Sequence, residues 1–314
     1  MPEDLQQSSP TEQQPVQPLS FVERNNIHPV LFALGCLFIV FVLYQLVAGT
    51  ITVLAMGGTK VTRENVFLTR FLTMVGQIVF IFGPTLLFAR LLSSRTPEVF
   101  PWRIPTVRES IYALLGLVWL QQIFQIYLFF QERIPLPDVI KKVLEPLREM
   151  MEEMYKGLVT AESVPELAFV LLVVAFVPAI VEELLFRGVI QRTFERMVTP
   201  FRAAIITGLI FGLFHFNPFA LLPLIGLGCY FGFLRMRSNS IILAMTAHFL
   251  NNALAVIAIY FGMDEEKMVT IGDVVQPTTP AVFLQLILFS MLFVLSLMAY
   301  LRATTESVHG ESPE

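Results

Sequence analysis

Eight apolar runs constrain the fold of this chain more than any other feature. They occupy residues 30–56, 71–92, 110–130, 167–192, 202–217, 219–236, 240–262 and 281–301. A transmembrane helix needs about 20 consecutive apolar residues, and most of these runs reach that length. The chain is 55% hydrophobic and only 15% charged, whereas a soluble domain carries about 25% charged residues. We therefore predict an all-α, polytopic transmembrane bundle of about eight spans.

The fifth and sixth runs are shorter than the others. Only Phe216, Asn217 and Pro218 separate them, so the two helices could form one re-entrant pair instead of two complete crossings. The sequence leaves both arrangements open.

Polar segments flank the predicted membrane region. Residues 1–27 begin with a stretch rich in Gln, Pro and Ser and lack the basic start and short apolar core of a cleavable signal peptide. We expect this segment to be a disordered tail. Residues 28–303 should form the transmembrane domain, surrounded by membrane lipids, and residues 304–314 a second polar tail. The net charge of −4 and the absence of a basic stripe exclude a nucleic-acid partner.

The distribution of basic residues predicts the orientation in the membrane. Arginines gather in alternate connections: Arg90, Arg95, Arg103, Arg108, Arg192, Arg196, Arg202, Arg235, Arg237 and Arg302. The opposite connections include the acidic region 145–166 and the acidic run 264–266. Lys60, Arg63 and Arg70, between the first two spans, are the exception to this pattern. Both termini are therefore predicted to be cytoplasmic.

A charged segment connects the third and fourth spans. Residues 138–158 alternate Val, Ile, Leu and Met with Lys, Glu and Arg, which predicts an amphipathic helix. Such a helix would lie in the non-cytoplasmic membrane interface or form a solvated connection. The sequence favours neither placement.

The fourth span carries three charged residues inside an apolar segment. A charge at the bilayer centre costs about 2.5–3.5 kcal/mol on insertion scales, so this cluster predicts a functional site. Glu183 and Arg187 are spaced i,i+4 and should pair on one helix face. Glu182 should point about 100° away from that face. We therefore expect Arg187 to neutralise Glu183 and Glu182 to face a cavity, although a purely structural ion pair is the alternative.

A proline lies one helical turn before the acidic pair. Pro178 has no N–H group and cannot donate to the carbonyl of Val174. A kink or local opening of the helix is expected next to the carboxylates.

Two further spans carry histidines. On the fifth span, Gly208 and Gly212 permit close helix packing, and His215 shares their face. On the seventh span, His248 and Asn252 are spaced i,i+4 and share one face. Considered alone, His215 is best interpreted as a hydrogen-bonded core residue. The His248–Asn252 pair, considered alone, could form interhelical hydrogen bonds.

Depth in the membrane connects these residues. Counted from the predicted cytoplasmic helix ends, Glu182, His215 and His248 all lie about 15–21 Å deep. Three helices can then present them to one water-filled pocket. The chain lacks both G-x-S-x-G and H-E-x-x-H. The remaining chemistry is the activation of a water molecule, with Glu182 as general base and His215 orienting the water. His248 and Asn252 would donate hydrogen bonds to the oxyanion that forms.

A catalytic metal is the competing arrangement. Two histidines and a glutamate are enough for a zinc site with an open water position. Glu182, His215 and His248 would then hold Zn²⁺ or another divalent metal, and the sequence does not choose between the two chemistries.

Three short motifs follow one another along the fourth, fifth and seventh spans. They are Glu182-Glu183-x-x-x-Arg187, Phe211-x-x-x-His215 and His248-x-x-x-Asn252. In this order, on separate spans, they resemble the motif set of the CPBP family. That family comprises the CAAX prenyl endopeptidases and bacterial Abi-like proteins related to bacteriocin processing and immunity. The resemblance covers a core of about residues 165–255, and every motif position is present.

The resemblance implies an eight-helix bundle with a catalytic cavity among spans four, five and seven, open toward the cytoplasm. The implied roles are water activation by Glu182 and His215, an oxyanion site of His248 and Asn252, and support from Glu183 and Arg187. The expected protein is an intramembrane endopeptidase that hydrolyses a peptide bond of a peptide or lipoprotein, near a membrane-embedded or lipidated, CAAX-like segment. The family's distribution favours a bacterial cytoplasmic membrane.

Two non-hydrolytic alternatives remain open. A membrane scaffold or bacteriocin-immunity protein could bind a peptide or partner in the same cavity. A proton-coupled transporter is the third interpretation, because buried Glu and His residues also relay protons. The spans show no convincing inverted repeat, which counts against a transporter.

Overall fold

The computed structural model describes residues 18–263 and 279–309, which are almost entirely helical. The helices are α1 (Phe21–Arg24), α2 (Pro29–Met56), α3 (Val66–Leu92), α4 (Thr96–Val99), α5 (Val107–Gln131), α6 (Asp138–Val159), α7 (Val164–Glu195), α8 (Pro200–Phe214), α9 (Leu221–Ser238), α10 (Ile241–Tyr260) and α11 (Thr279–His309). A single β-bridge joins Trp102 and Ser240. The predicted all-α, polytopic bundle is confirmed.

Each predicted apolar run forms a helix, but the helix of the second run starts five residues earlier than predicted and that of the last run ends eight residues later. Within the described residues, six helices are long and apolar enough to cross a membrane: α2, α3, α5, α7, α10 and α11. Helices α8 and α9 contain 15 and 18 residues. At 1.5 Å per residue they measure about 22 and 27 Å, less than the bilayer core of about 30 Å. The count of eight crossings therefore stays a prediction.

Helices α8 and α9 form a tightly packed antiparallel pair. A Cβ atom added at Gly208 would lie 2.4 Å from the backbone nitrogen of Cys229, and one at Gly212 would lie 2.5 Å from Cγ1 of Ile225. Real side chains do not tolerate such contacts, so both positions require glycine. This close approach fixes the end of α8, where His215 follows.

The arginine-rich connections meet at one end of the bundle, which we term the arginine-rich end. Arg196 donates to the carbonyl of Leu92 over 2.6 Å, Arg103 donates to that of Ser238 over 2.5 Å, and Arg237 donates to Thr304 Oγ1 over 3.0 Å. The predicted alternation of connections therefore agrees with the structure. Which side of the membrane this end faces stays a prediction.

The opposite end explains the exception to the charge pattern. The Arg70 side chain is only 3% exposed. It donates to the carbonyls of Leu158 and Thr160, over 2.8 and 2.5 Å, and to Glu166 Oε1 over 2.7 Å. Arg63 pairs with Glu162 at the same end. These arginines connect the start of α3 to the end of α6 and the start of α7, so their charges stabilise the packing of these helices.

The predicted amphipathic helix is present as α6. Large apolar side chains on this helix, including Val139, Val143 and Met150, remain exposed. Its location in the membrane interface stays a prediction.

The structure also describes parts of both predicted tails. Residues 18–27 contain α1, whose residue Val22 is buried and whose start is capped by Ser20. Helix α11 continues through residues 304–309. Residues 1–17, 310–314 and the acidic run 264–266 lie outside the described residues.

The Arg70 contacts generate a stability prediction. Replacement in Arg70→Met leaves several buried acceptors without a donor, so we expect the free energy of unfolding to fall by about 3 kcal/mol. Arg63→Met is the matched control, because the Arg63 side chain is 57% exposed and exposed ion pairs contribute little. Denaturant unfolding in detergent measures both. Equal effects of the two substitutions would contradict the account.

Candidate active site

Helix α7 changes its hydrogen-bonding pattern around the acidic pair. An α-helical turn, Val177–Glu183, lies between two π-helical stretches, Leu171–Phe176 and Leu184–Ile190. Pro178 is in the first turn of the α-helical segment, so the expected local opening takes the form of π-helical turns. Such turns inside α-helices occur frequently at functional sites.

Glu183 and Arg187 form the ion pair that the i,i+4 spacing predicts. Arg187 Nη1 donates to Glu183 Oε1 over 2.9 Å, and both side chains are 0% exposed. Arg187 Nη2 donates to the carbonyl of Gly228 on α9, also over 2.9 Å. The guanidinium lies 4.5 Å from the ring centre of Phe211, which adds a cation–π contact. This pair joins α7 firmly to α8 and α9.

Glu182 points elsewhere and lies beside His215. The distance from Glu182 Oε2 to His215 Nε2 is 3.8 Å, and the two side chains are 18% and 31% exposed. His215 Nδ1 lies 2.7 Å from the carbonyl of Phe211. Because a carbonyl only accepts, Nδ1 carries the proton, and Nε2 of the neutral ring has a lone pair directed toward the site. A carboxylate and an imidazole nitrogen so placed can contact one water molecule.

His248 contacts the other glutamate. Its Nδ1 lies 2.9 Å from Glu183 Oε1, and the ring stacks on Phe231 with centres 5.1 Å apart. Helix α10 thus packs against the Glu183 face of α7, and the expected pocket lined by Glu182, His215 and His248 together stays a prediction. Because a carboxylate oxygen accepts, His248 Nδ1 donates in its contact with Glu183.

Asn252 donates to the carbonyl that the proline leaves without its helical partner. Its Nδ2 lies 3.1 Å from the carbonyl oxygen of Val174, four residues before Pro178. The amide has a second N–H, which this bond does not use. Asn252 therefore satisfies the carbonyl of the opened turn of α7. Its second amide N–H can donate to another acceptor.

A relay of amides extends from Asn252 to α5. Asn251 Nδ2 donates to Asn252 Oδ1, and Gln121 Nε2 donates to Asn251 Oδ1, each over 3.0 Å. Sequence reasoning missed Gln121. The available signal was the group Gln121, Gln122 and Gln125 inside a mostly apolar span, where an amide needs a polar partner.

The side chains predicted as metal ligands do not converge on one point. Among residues 18–263 and 279–309, no three His, Cys, Asp or Glu side chains converge in an arrangement that could hold an ion. Glu182 and His215 lie together, but His248 is directed to Glu183. The three side chains of the metal alternative therefore do not converge on one point among the described residues.

The family comparison concerns the segment that contains this site. Residues 164–254 match the family model described as type II CAAX prenyl endopeptidase Rce1-like. This match confirms the resemblance that the three motifs indicated for residues 165–255. No curated protein and no solved structure matches the chain. The matched family is one of membrane endopeptidases, which are hydrolases of peptide bonds.

The two glutamates should differ in their effect on stability. Glu183→Gln leaves the buried Arg187 without its counter-charge, and we expect a loss of about 3–5 kcal/mol in the free energy of unfolding. Glu182→Gln is the matched substitution at a partly exposed position, and we expect under about 1 kcal/mol. Denaturant unfolding of both variants in detergent tests this difference. A larger loss in the free energy of unfolding for Glu182→Gln than for Glu183→Gln would contradict the structural role of Glu183.

Proposed function

We propose that this chain, whose residues 164–254 match the type II CAAX prenyl endopeptidases, is an intramembrane endopeptidase of that type. Its substrate would be a peptide or lipoprotein, cleaved near a membrane-embedded or lipidated, CAAX-like segment. The observation that carries the proposal is the accessible Glu182–His215 pair, 3.8 Å apart, beside a fully buried ion cluster. That arrangement suits water activation next to a rigid support.

The proposed reaction begins with one water molecule between Glu182 and His215. Glu182 accepts a proton as the water oxygen attacks the peptide carbonyl, and a tetrahedral oxyanion forms. His215 orients the water through the lone pair on Nε2. The proton on Glu182 then passes to the leaving amine as the C–N bond breaks. The products are a carboxylic acid and an amine, so one water is consumed per bond.

Asn252 and His248 are the proposed donors to the oxyanion. Asn252 has one N–H beyond the bond to Val174. His248 donates Nδ1–H to Glu183, so its Nε2 donates only when the ring is protonated. Donors aimed at a developing oxyanion stabilise it strongly in a site that excludes bulk water. Glu183 and Arg187 hold this side of the site in place.

The proposal extends to the setting of the enzyme. A bacterial cytoplasmic membrane, with both termini in the cytoplasm, agrees with the arginine-rich end formed by alternate connections. Substrate would then approach the site from the membrane or from the cytoplasmic side.

Replacement of the proposed base should abolish cleavage. Glutamine retains the size of the side chain but accepts no proton, so Glu182→Gln should lower kcat by about 10²–10⁴. Cleavage of a fluorogenic lipidated peptide in proteoliposomes measures this. Glu64→Gln is the control, because Glu64 is exposed in the connection between α2 and α3 and should retain activity. Undiminished cleavage by well-folded Glu182→Gln would contradict the role of Glu182 as the base, whereas no cleavage by the wild-type protein would favour the non-enzymatic scaffold.

Chelation tests the metal alternative separately. Because the donors do not converge, we expect chelator-treated protein without bound metal to retain full activity. Elemental analysis of the same sample supplies the metal content. Activity that disappears on chelation and returns with added Zn²⁺ would contradict this expectation.

A further inference from the structure

Helix α7 carries a row of buried polar side chains that the proposed reaction does not fully use. Glu183, Arg187, Gln191 and Glu195 follow one another at i,i+4 spacing; the first three are buried, and the Glu195 side chain is 6% exposed. We term these four residues the polar ladder. At 1.5 Å per residue the ladder extends for about 18 Å along the helix. It begins beside the candidate site and ends at the arginine-rich end.

The polar ladder contacts α9 from Arg187 onward, whereas Glu183 contacts His248 on α10. Arg187 donates to the carbonyl of Gly228, and Gln191 donates to the carbonyl of Gly232 over 3.1 Å. Arg235 donates to Glu195 over 2.5 Å. The α9 partners lie three and four residues apart, so they share one face of that helix. The interface between α7 and α9 is therefore polar from the site to the bundle end.

Several polar atoms along this interface have no partner in the described protein. They are Glu183 Oε2, Arg187 Nε, Gln191 Oε1 and Arg235 Nε, all buried and without a hydrogen bond to residues 18–263 or 279–309. One such atom costs about 1–3 kcal/mol when it is left unsatisfied. Buried water usually satisfies groups of this kind. Four along one interface indicate a row of water sites.

We propose that the polar ladder binds a file of water molecules that connects the arginine-rich end with Glu182 and His215. The inference rests on the proposed function, since hydrolysis consumes one water per bond. Glu182 Oε2 is buried and also lacks a hydrogen-bond partner in the described part of the chain, so the file ends where the attacking water is required. A peptide bound as proposed would cover the accessible side of this pair, and the file would then supply water from the side of the polar ladder.

The charges of the ladder favour water over an ion as its occupant. Glu183 pairs with Arg187, and Glu195 pairs with Arg235 and with the half-exposed Arg192, so each carboxylate of the ladder already has a cationic partner. Gln191 is the only uncharged member. Its replacement removes a water acceptor and leaves no buried charge unpaired, which makes it the most informative position.

The direct test is a structure of the full chain in a lipid environment, at a resolution that shows ordered water. We expect water within hydrogen-bonding distance of Gln191 Oε1 and Arg187 Nε. If both atoms contact only protein, the water file is refuted. This outcome is independent of activity, so it decides the inference even if no peptide is ever cleaved and the proposed function fails.

The functional test compares two glutamine substitutions. Gln191→Leu should slow single-turnover cleavage tenfold or more, with KM and the thermal midpoint close to those of the control. Gln285→Leu is the matched control, because Gln285 Oε1 on α11 also lacks a partner among the described residues but lies outside the ladder. Equal cleavage rates for the two variants would overturn the inference. If Gln191→Leu does not fold, the water positions in the wild-type structure decide.

Discussion

The rest of the site depends on one buried carboxylate. Glu183 accepts hydrogen bonds from Arg187 and His248 at the same oxygen, and the three side chains belong to two different helices. Arg187 in turn bonds to α9, so the cluster unites α7, α9 and α10. A buried charge persists only when it is paired and hydrogen-bonded. Arg187 and His248 supply the charge pairing and the hydrogen bonds that Glu183 requires. Neither partner binds the neighbouring Glu182.

The division between the two glutamates organises the surrounding helices. The Pro178 turn opens α7 just before the pair, and Asn252 bonds to the carbonyl that this proline leaves without its helical partner. The glycine contacts between α8 and α9 fix the end of α8, so that His215 lies beside Glu182. Helix packing thus holds one carboxylate still and presents the other to the accessible side of the site.

Sequence reasoning reached the helices, the Glu183–Arg187 pair and the opening at Pro178, because each follows from spacing within one helix. It did not reach the partners of His248 and Asn252, or the roles of Gln121 and Gln191. Helical periodicity tells which residues share a face, and depth tells which residues lie at one level. Neither tells which neighbouring helix that face meets. That information depends on the packing of α7 against α9 and α10.

The central claim is that Glu182 does chemistry while Glu183 holds the structure. Comparative proteomics of membrane peptides tests it most directly, in cells that express either the wild type or Glu182→Gln at equal levels. The account predicts peptides with new carboxyl termini that are present only with the wild-type protein. Identical peptide sets in the two strains would contradict it.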